Sequence, residues 1–257
     1  MTSSENFLRE FHTEHAGVTS RAFGRAGSYA RLAARVPAGA RVLDLACGDG
    51  ALLHHLGPQA LGIDVTLAEL RAAQSRHACA GTLAGDSRIA CARAQALPFA
   101  ADRFDAVTCH LAFMLFDDLP AVVRELERVL VPGGAFIALL GGGPTADGDD
   151  AFHRFLDLLG PRTLPLLGDP RAKSESGWGE LMPRWRIAPF ERWALDVSGT
   201  FDEVWTFLGA SYEVHPERAA ELRAALRTAT AEWDDRIPCT AVAYVAQATV
   251  IQATSGK

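Results

Sequence analysis

The sequence predicts an α/β protein built on a mostly parallel sheet of seven strands, with helices on both faces and a helical cap. Three observations carry this. Between Arg41 and Leu140, short runs such as RVLDLA, ALGID, FDAVTCH and GAFIALL alternate with segments of helical spacing. These runs are apolar throughout, as strands buried on both sides must be, so helices are required over both faces of the sheet. The first run passes through a glycine turn, VLDLACGDG from Val42 to Gly50, into the helical ALLHHL. A strand, a tight turn and a helix in that order describe a Rossmann-like, doubly wound sheet.

The elements follow in chain order. Residues 1–37 carry two amphipathic segments, ENFLREFHTEH and SYARLAARV, expected to form a helical lid. The core, 38–141, continues after the glycine turn with strand ALGID, helix LAELRAAQSRHA, strand RIACARA, strand FDAVTCH, helix LPAVVRELERVL and strand GAFIALL. Asp117 or Asp118 caps the helix at Pro120, and PGG at 132–134 stops it. GGGPTADGDD then breaks the pattern. Residues 142–238 form the expected cap and substrate region, with helical AFHRFLDLLG, DEVWTFLGAS and ERAAELRAALRTATAEW, a tryptophan-bearing SGWGELMPRW and the late strand PFERWALDV. Residues 239–251 supply the final strand. Both late strands are expected at sheet edges, and a single domain accounts for the chain.

Composition narrows the function classes. With 257 residues, 49% hydrophobic and 22% charged, the chain can bury one sizeable core. No run approaches the roughly 18 apolar residues of a membrane helix. MTSSENFLREFH lacks the basic start and apolar centre of a signal peptide, so a cytoplasmic protein without a membrane partner is expected. Cys47, Cys79, Cys91, Cys109 and Cys239 are scattered without a CxxC and read as small buried residues; no metal site is expected. A formal charge of −6 without a basic stripe argues against nucleic acid. His12 and His15 lack a ligand pattern, and His54 and His55 read as surface or packing residues on the helix after the turn.

The glycine turn holds the chemistry. A strand feeding a glycine turn and a helix presents backbone amides to a ligand at the carboxyl end of the sheet. A dinucleotide fingerprint wants G-x-G-x-x-G, but Gly48-Asp49-Gly50 is followed by Ala51, Leu52 and Leu53. Asp44 and Asp49 also bracket the turn, where a pyrophosphate would bring like charge. A cofactor with cationic groups fits better.

DLACGDG resembles the first motif of class I S-adenosylmethionine-dependent methyltransferases. Asp64, 20 residues after Asp44, stands at the end of the second strand. ALPFAADRFDAVTCH resembles the segment that carries the adenine loop into the fourth strand, and RELERVLVPGGAFIALL resembles the helix, turn and fifth strand, particularly of the ubiquinone/menaquinone-type branch. The likeness covers about Ala38 to Leu140. It implies S-adenosylmethionine as cofactor, with Asp44 near the amino end, amides of Ala46, Cys47, Gly48 and Gly50 near the carboxylate, and Asp64 with Val65 at the ribose. Arg93, Ala94 and Gln95 fall at the adenine, and Tyr29, His110 and Leu111 near the methionine moiety. Two positions depart from the family pattern. Ala46 replaces its commonest first glycine, a small side chain that preserves close approach. Arg93 replaces an acidic residue, while the amide of Ala94 still serves a ring nitrogen.

His110 ends the fourth strand, where related amino-methylating enzymes carry a polar residue facing the transferable methyl. It is the expected general base, or at least the residue that orients the acceptor, with His153 and His215 as the remaining candidates for the base; Cys109 points the other way because side chains alternate along a strand. Phe113, Met114, Trp178, Trp185 and Tyr212 either line an acceptor pocket or form the core of the cap. The expected reaction is direct methyl displacement onto a small organic acceptor, such as a specialised-metabolite intermediate. A macromolecule methyltransferase, a cofactor-binding fold performing a cyclisation, and a non-catalytic binding module are the rival readings.

Overall fold

A computed structural model describes residues 12–13, 15–79, 88–160, 168–212 and 216–251, and these form the α/β sheet that the sequence predicts. Strands β1 (Val42–Leu45), β2 (Leu61–Asp64), β3 (Ile89–Cys91), β4 (Phe104–His110) and β5 (Leu130–Pro144) pair in parallel in the order 3-2-1-4-5. Beyond β5 the sheet turns antiparallel. β8 (Thr240–Val250) pairs with β5, and its other side takes both β6 (Trp185–Ile187) and β7 (Glu191–Asp196). The sheet therefore has eight strands rather than seven, β6 being a three-residue element too short to read by pattern. The final strand is also interior, not an edge: Val242, Ala243, Val245, Ala246 and Ala248 are all buried, as a strand flanked on both sides requires. β7 keeps the edge position, with charged Glu191, Arg192 and Asp196 exposed along it.

Helices α1 (Val18–Arg25), α2 (Ser28–Ala33), α6 (Ala151–Leu159), α8 (Phe201–Ser211) and α9 (Pro216–Ala229) share one hydrophobic cluster on one face. That cluster joins Phe23, Tyr29 and Leu32 of the N-terminal segment to Phe152, Phe155 and Phe207 of the cap. The segment Glu5–His15 lies almost wholly outside the described residues. α3 (Leu53–Leu56) and α4 (Leu67–Cys79) follow β1 and β2. On the opposite face, α5 (Leu119–Val129) is capped by Asp118, whose side chain accepts the Ala121 N–H, and Pro120 sits in its first turn.

α7 (Glu175–Leu181) departs from the expected cap. It packs with α5 on that opposite face, so Trp178 and Trp185 are core rather than acceptor-lining residues. Trp178 is fully buried, stacked on Phe136 at 5.4 Å and edge-on to Phe113 at 5.3 Å, with Nε1 donating to the Ala172 carbonyl at 2.8 Å. Trp185 donates to Glu127 at 3.0 Å. Phe113 is buried in the same cluster. Trp178→Phe, which removes one hydrogen bond and part of the volume, should lower unfolding free energy by about 1–2 kcal/mol and leave acceptor KM unchanged. Denaturant unfolding beside steady-state kinetics checks this; a raised acceptor KM with unchanged stability would return Trp178 to the pocket.

Cys47, Cys109 and Cys239 are buried as expected, whereas Cys91 is exposed at the outer strand β3. Among the described residues no helix is long and apolar enough to cross a membrane, and no cluster of metal-ligating side chains occurs.

Candidate functional site

A cavity of about 450 Å³ opens at the carboxyl ends of β1, β2 and β4, within the size range of small-molecule sites. Its lining divides by chemistry. Asp44, Asp49, Asp64 and Glu69 gather at the glycine turn, while Phe23, Leu111, Met114, Phe152, Phe207 and Tyr212 supply an apolar end.

The turn depends on left-handed backbone. Ala46, Gly48 and Gly50 have φ of 57°, 53° and 75°. Glycine adopts these freely, but in an L-residue they cost about 1–2 kcal/mol. On side-chain size alone Ala46 replaces glycine without loss; its cost lies in the backbone instead. Leu111, at φ 59°, carries the same strain where β4 leaves the sheet. Both residues border the cavity, where packing holds them in place.

Asp44 is 1% exposed. Its register opposite Thr108 lets that hydroxyl donate to Oδ1 at 3.0 Å, but Oδ2 has no partner. Burial pushes the carboxyl up to about 8, against the Thr108 hydrogen bond and with a further contribution from the Asp64 charge. A buried acceptor left unpaired costs about 1–3 kcal/mol. An ammonium would satisfy both the oxygen and its charge. Asp64 accepts the Gly48 N–H on Oδ2 at 3.0 Å and the Thr66 N–H on Oδ1 at 2.8 Å, and each oxygen retains capacity for another donor. Asp49 has its own partners, Ser20 Oγ at 2.5 Å and the Arg76 guanidinium, which offsets part of the carboxylate crowding.

His110 borders the apolar end beside Tyr29, the two rings stacked at 4.1 Å, and Phe23 meets it edge-on at 5.7 Å. Its Nε2 lies 2.9 Å from Ser28 Oγ, which also reaches the Phe23 carbonyl at 3.0 Å. The Ser28 hydroxyl thus links the imidazole to the Phe23 carbonyl, and its direction is set by which ring nitrogen carries the proton. Burial pushes the imidazole down to about 3. The ring is therefore neutral near pH 7, not a group titrating near 6.5, and so weak a base draws little from a phenol of pKa about 10. It is an oriented hydrogen-bonding group. His153 lies outside the cavity lining, held by Asp150 at 2.8 Å and the Thr145 carbonyl at 3.0 Å. His215 lies outside the described residues.

The cavity thus brings together Tyr29, Asp44, Ala46, Cys47, Gly48, Asp64, His110, Leu111, Met114 and Tyr212. Gly50, Val65, Arg93, Ala94 and Gln95 are not in its lining. Gly50 shapes the turn through its backbone, Arg93 is exposed, Ala94 is buried in the cluster beneath α5, and Gln95 donates to the Asp117 carbonyl at 2.7 Å. Phe113, Trp178 and Trp185 belong to the far face. Ser28, Thr108, Glu69 and Lys173 were hidden in the sequence. A serine or threonine in a helix or strand carries no local sign of its partner, and an acid in the first turn of a helix reads as a dipole complement.

A family model described as a methyltransferase domain matches residues 43–138. The malonyl-[acyl-carrier protein] O-methyltransferase of Pseudescherichia vulneris is 37% identical over 109 residues, 41% of this chain and 40% of that protein. A ubiquinone/menaquinone biosynthesis C-methyltransferase of Desulfotalea psychrophila is 33% identical over 150 residues, covering 56% and 58%. The chain thus spans about two fifths to three fifths of these curated relatives. Among solved structures, the YcgJ protein of Bacillus subtilis superposes with a TM-score of 0.58 at 22% identity, covering 89% of this chain and 98% of that one, a likeness of fold. The acidic strand ends and the glycine turn lie inside residues 43–138, the stretch that matches the methyltransferase-domain model.

Proposed function

We propose that the protein transfers a methyl group from S-adenosylmethionine to a small, largely apolar organic acceptor. The observation that carries this reading is Asp44, whose buried, unpartnered Oδ2 lies at a glycine turn in the same cavity as an apolar chamber. The cofactor, when bound, supplies an electrophilic methyl on a sulfonium. The chain's own residues bind and orient: Asp44 holds the ammonium, the turn amides meet the carboxylate, and Asp64 takes the ribose. Tyr29 and the neutral His110 form the wall between cofactor and acceptor, and His110 fixes the acceptor's attacking atom. Holding the two reactants in line accounts for much of the rate in such a displacement.

The likeness to proteins named for ubiquinone and menaquinone biosynthesis supports a quinone-type acceptor. One side chain refines this. Lys173, on the 3₁₀ turn Pro170–Lys173 packed against Phe113–Leu115, is the one lysine or arginine among the described lining residues. It favours an acceptor bearing a carboxylate or other anionic group. Because Lys173 is exposed, Lys173→Met should raise KM for such acceptors by only about two- to fivefold, with cofactor affinity unchanged.

The function is tested by mass spectrometry on a panel of naphthols, hydroquinones and their carboxylates incubated with S-adenosylmethionine. A gain of about 14 daltons on an acceptor, with matching release of S-adenosylhomocysteine, is expected. Conversion of an acceptor without mass gain points to cyclisation, and methylation confined to RNA or protein points to a macromolecular substrate; either result sinks the proposal.

A further inference from the structure

Glu69, in the first turn of α4, is 4% exposed and borders the cavity, yet none of the motifs of the glycine turn includes it. Its two oxygens have different surroundings. Oε1 lies 3.0 Å from His12 Nδ1 and accepts the Gly17 N–H at 3.4 Å. Oε2 is buried and has no partner. That atom sits against the glycine turn: a Cβ placed on Gly48 would meet Oε2 at 3.9 Å and no other atom within 4 Å. The Gly48 N–H in turn donates to Asp64 Oδ2, so two carboxylates flank one residue of the turn.

From this geometry we infer that Glu69 is a second carboxylate for the cofactor's ribose, with Oε2 accepting one hydroxyl while Asp64 accepts the other. The inference rests on the cofactor reading above. An ionised carboxylate oxygen only accepts, so its missing partner must be a donor. Arg76, the nearby guanidinium, is already committed to Asp49. The cofactor's ammonium has Asp44. The ribose diol remains, and Asp64 already spends one acceptor position on each oxygen on backbone N–H groups. Sharing the diol between two carboxylates satisfies every one of these groups. It also gives the N-terminal segment a stake in the cofactor, because the carboxylate that reads the ribose holds His12 and the Gly17 amide with its other oxygen.

Calorimetry with S-adenosylhomocysteine and its 2′-deoxy and 3′-deoxy forms tests this on the wild type, Glu69→Ala, Glu69→Gln and Asp64→Ala. In the wild type each missing hydroxyl should weaken binding by about tenfold. In Glu69→Ala one of the two penalties should shrink below about twofold while the other persists, and Asp64→Ala should show the reverse pattern. Glu69→Gln keeps an acceptor oxygen and should retain part of the penalty; it carries the test if Glu69→Ala fails to fold. As a second readout, ligand should slow amide exchange over residues 15–25 in the wild type and do so less in Glu69→Ala. Both penalties undiminished in a folded Glu69 variant overturn the inference while leaving the cofactor reading intact. No binding of S-adenosylhomocysteine to the wild type overturns the two together.

Discussion

S-adenosylhomocysteine is expected to bind about fiftyfold more weakly at pH 6 than its affinity near pH 8 and, at pH 6, to expel close to one proton as it binds. The reason is Asp44. Before the cofactor arrives, burial holds this carboxyl protonated up to about pH 8. The incoming ammonium favours the ionised form, so each pH unit below 8 costs roughly a factor of ten in affinity. At higher pH the ligand's own amine begins to lose its proton, and binding must then take one up. Proton release should therefore fall to about half near pH 8, decline further above it, and change sign only where the ligand's amine titrates. Calorimetry in buffers of different ionisation enthalpy reads this directly. Asp44→Asn should abolish the release below pH 8 and cost about 2–5 kcal/mol of affinity at the optimum, the cost of truncating one side of a buried charge pair. Stability moves the other way in the free protein. A folded pKa above the unfolded value of about 3.9 means that Asp44 destabilises the fold progressively as pH rises from about 4 to 8, and bound cofactor relieves that. Affinity independent of pH between 6 and 8 would remove Asp44 as the ammonium's partner.

His110→Ala should lower kcat by about a hundredfold while cofactor affinity stays within twofold, the size of loss that accompanies a misplacement of roughly 1 Å at a reacting centre. The wild-type kcat should not rise through pH 6.5. With the imidazole pushed down to about 3, the ring is neutral throughout the working range, so no histidine ionisation enters the profile. His110→Asn, which keeps a hydrogen-bonding group for Ser28, should recover part of kcat, and Ser28→Ala should lose less than His110→Ala because the ring remains packed on Tyr29. The same shift bears on acid stability. A histidine whose folded pKa lies below its unfolded value of about 6.5 supports the fold above that pH and loses its contribution as pH falls toward 3. A kcat that climbs through pH 6.5 in the wild type but not in His110→Ala would restore the general-base role.

The legibility of the site tracks the range of the interactions that make it. Asp44 and Gly48 were readable because one strand and its turn fix them within a few residues of each other, and Asp64 because it ends the next strand; all three border the cavity. Trp178 and Trp185 gave no such guide. Their segment is compatible with either face of the sheet, and the choice was made by Phe113, Phe136 and Ala172, which lie distant in the chain or carry no pattern of their own. The short β6 and the interior position of β8 were likewise settled by partners, since a strand's sequence records its burial better than its neighbours. β8 was a recognisable strand; which strands would lie on either side of it was not.

The sequence by itself determined the alternation of strands and helices and the glycine turn with its two acidic strand ends, because each rests on local spacing and backbone preference. Only the tertiary structure decided that burial pushes the Asp44 carboxyl up to about 8 and the His110 imidazole down to about 3, that His110 meets Ser28, and that Glu69 turns an unpaired oxygen toward Gly48. Desolvation, charge proximity and hydrogen-bond satisfaction are sums over neighbours brought together by folding, and no stretch of sequence contains those neighbours.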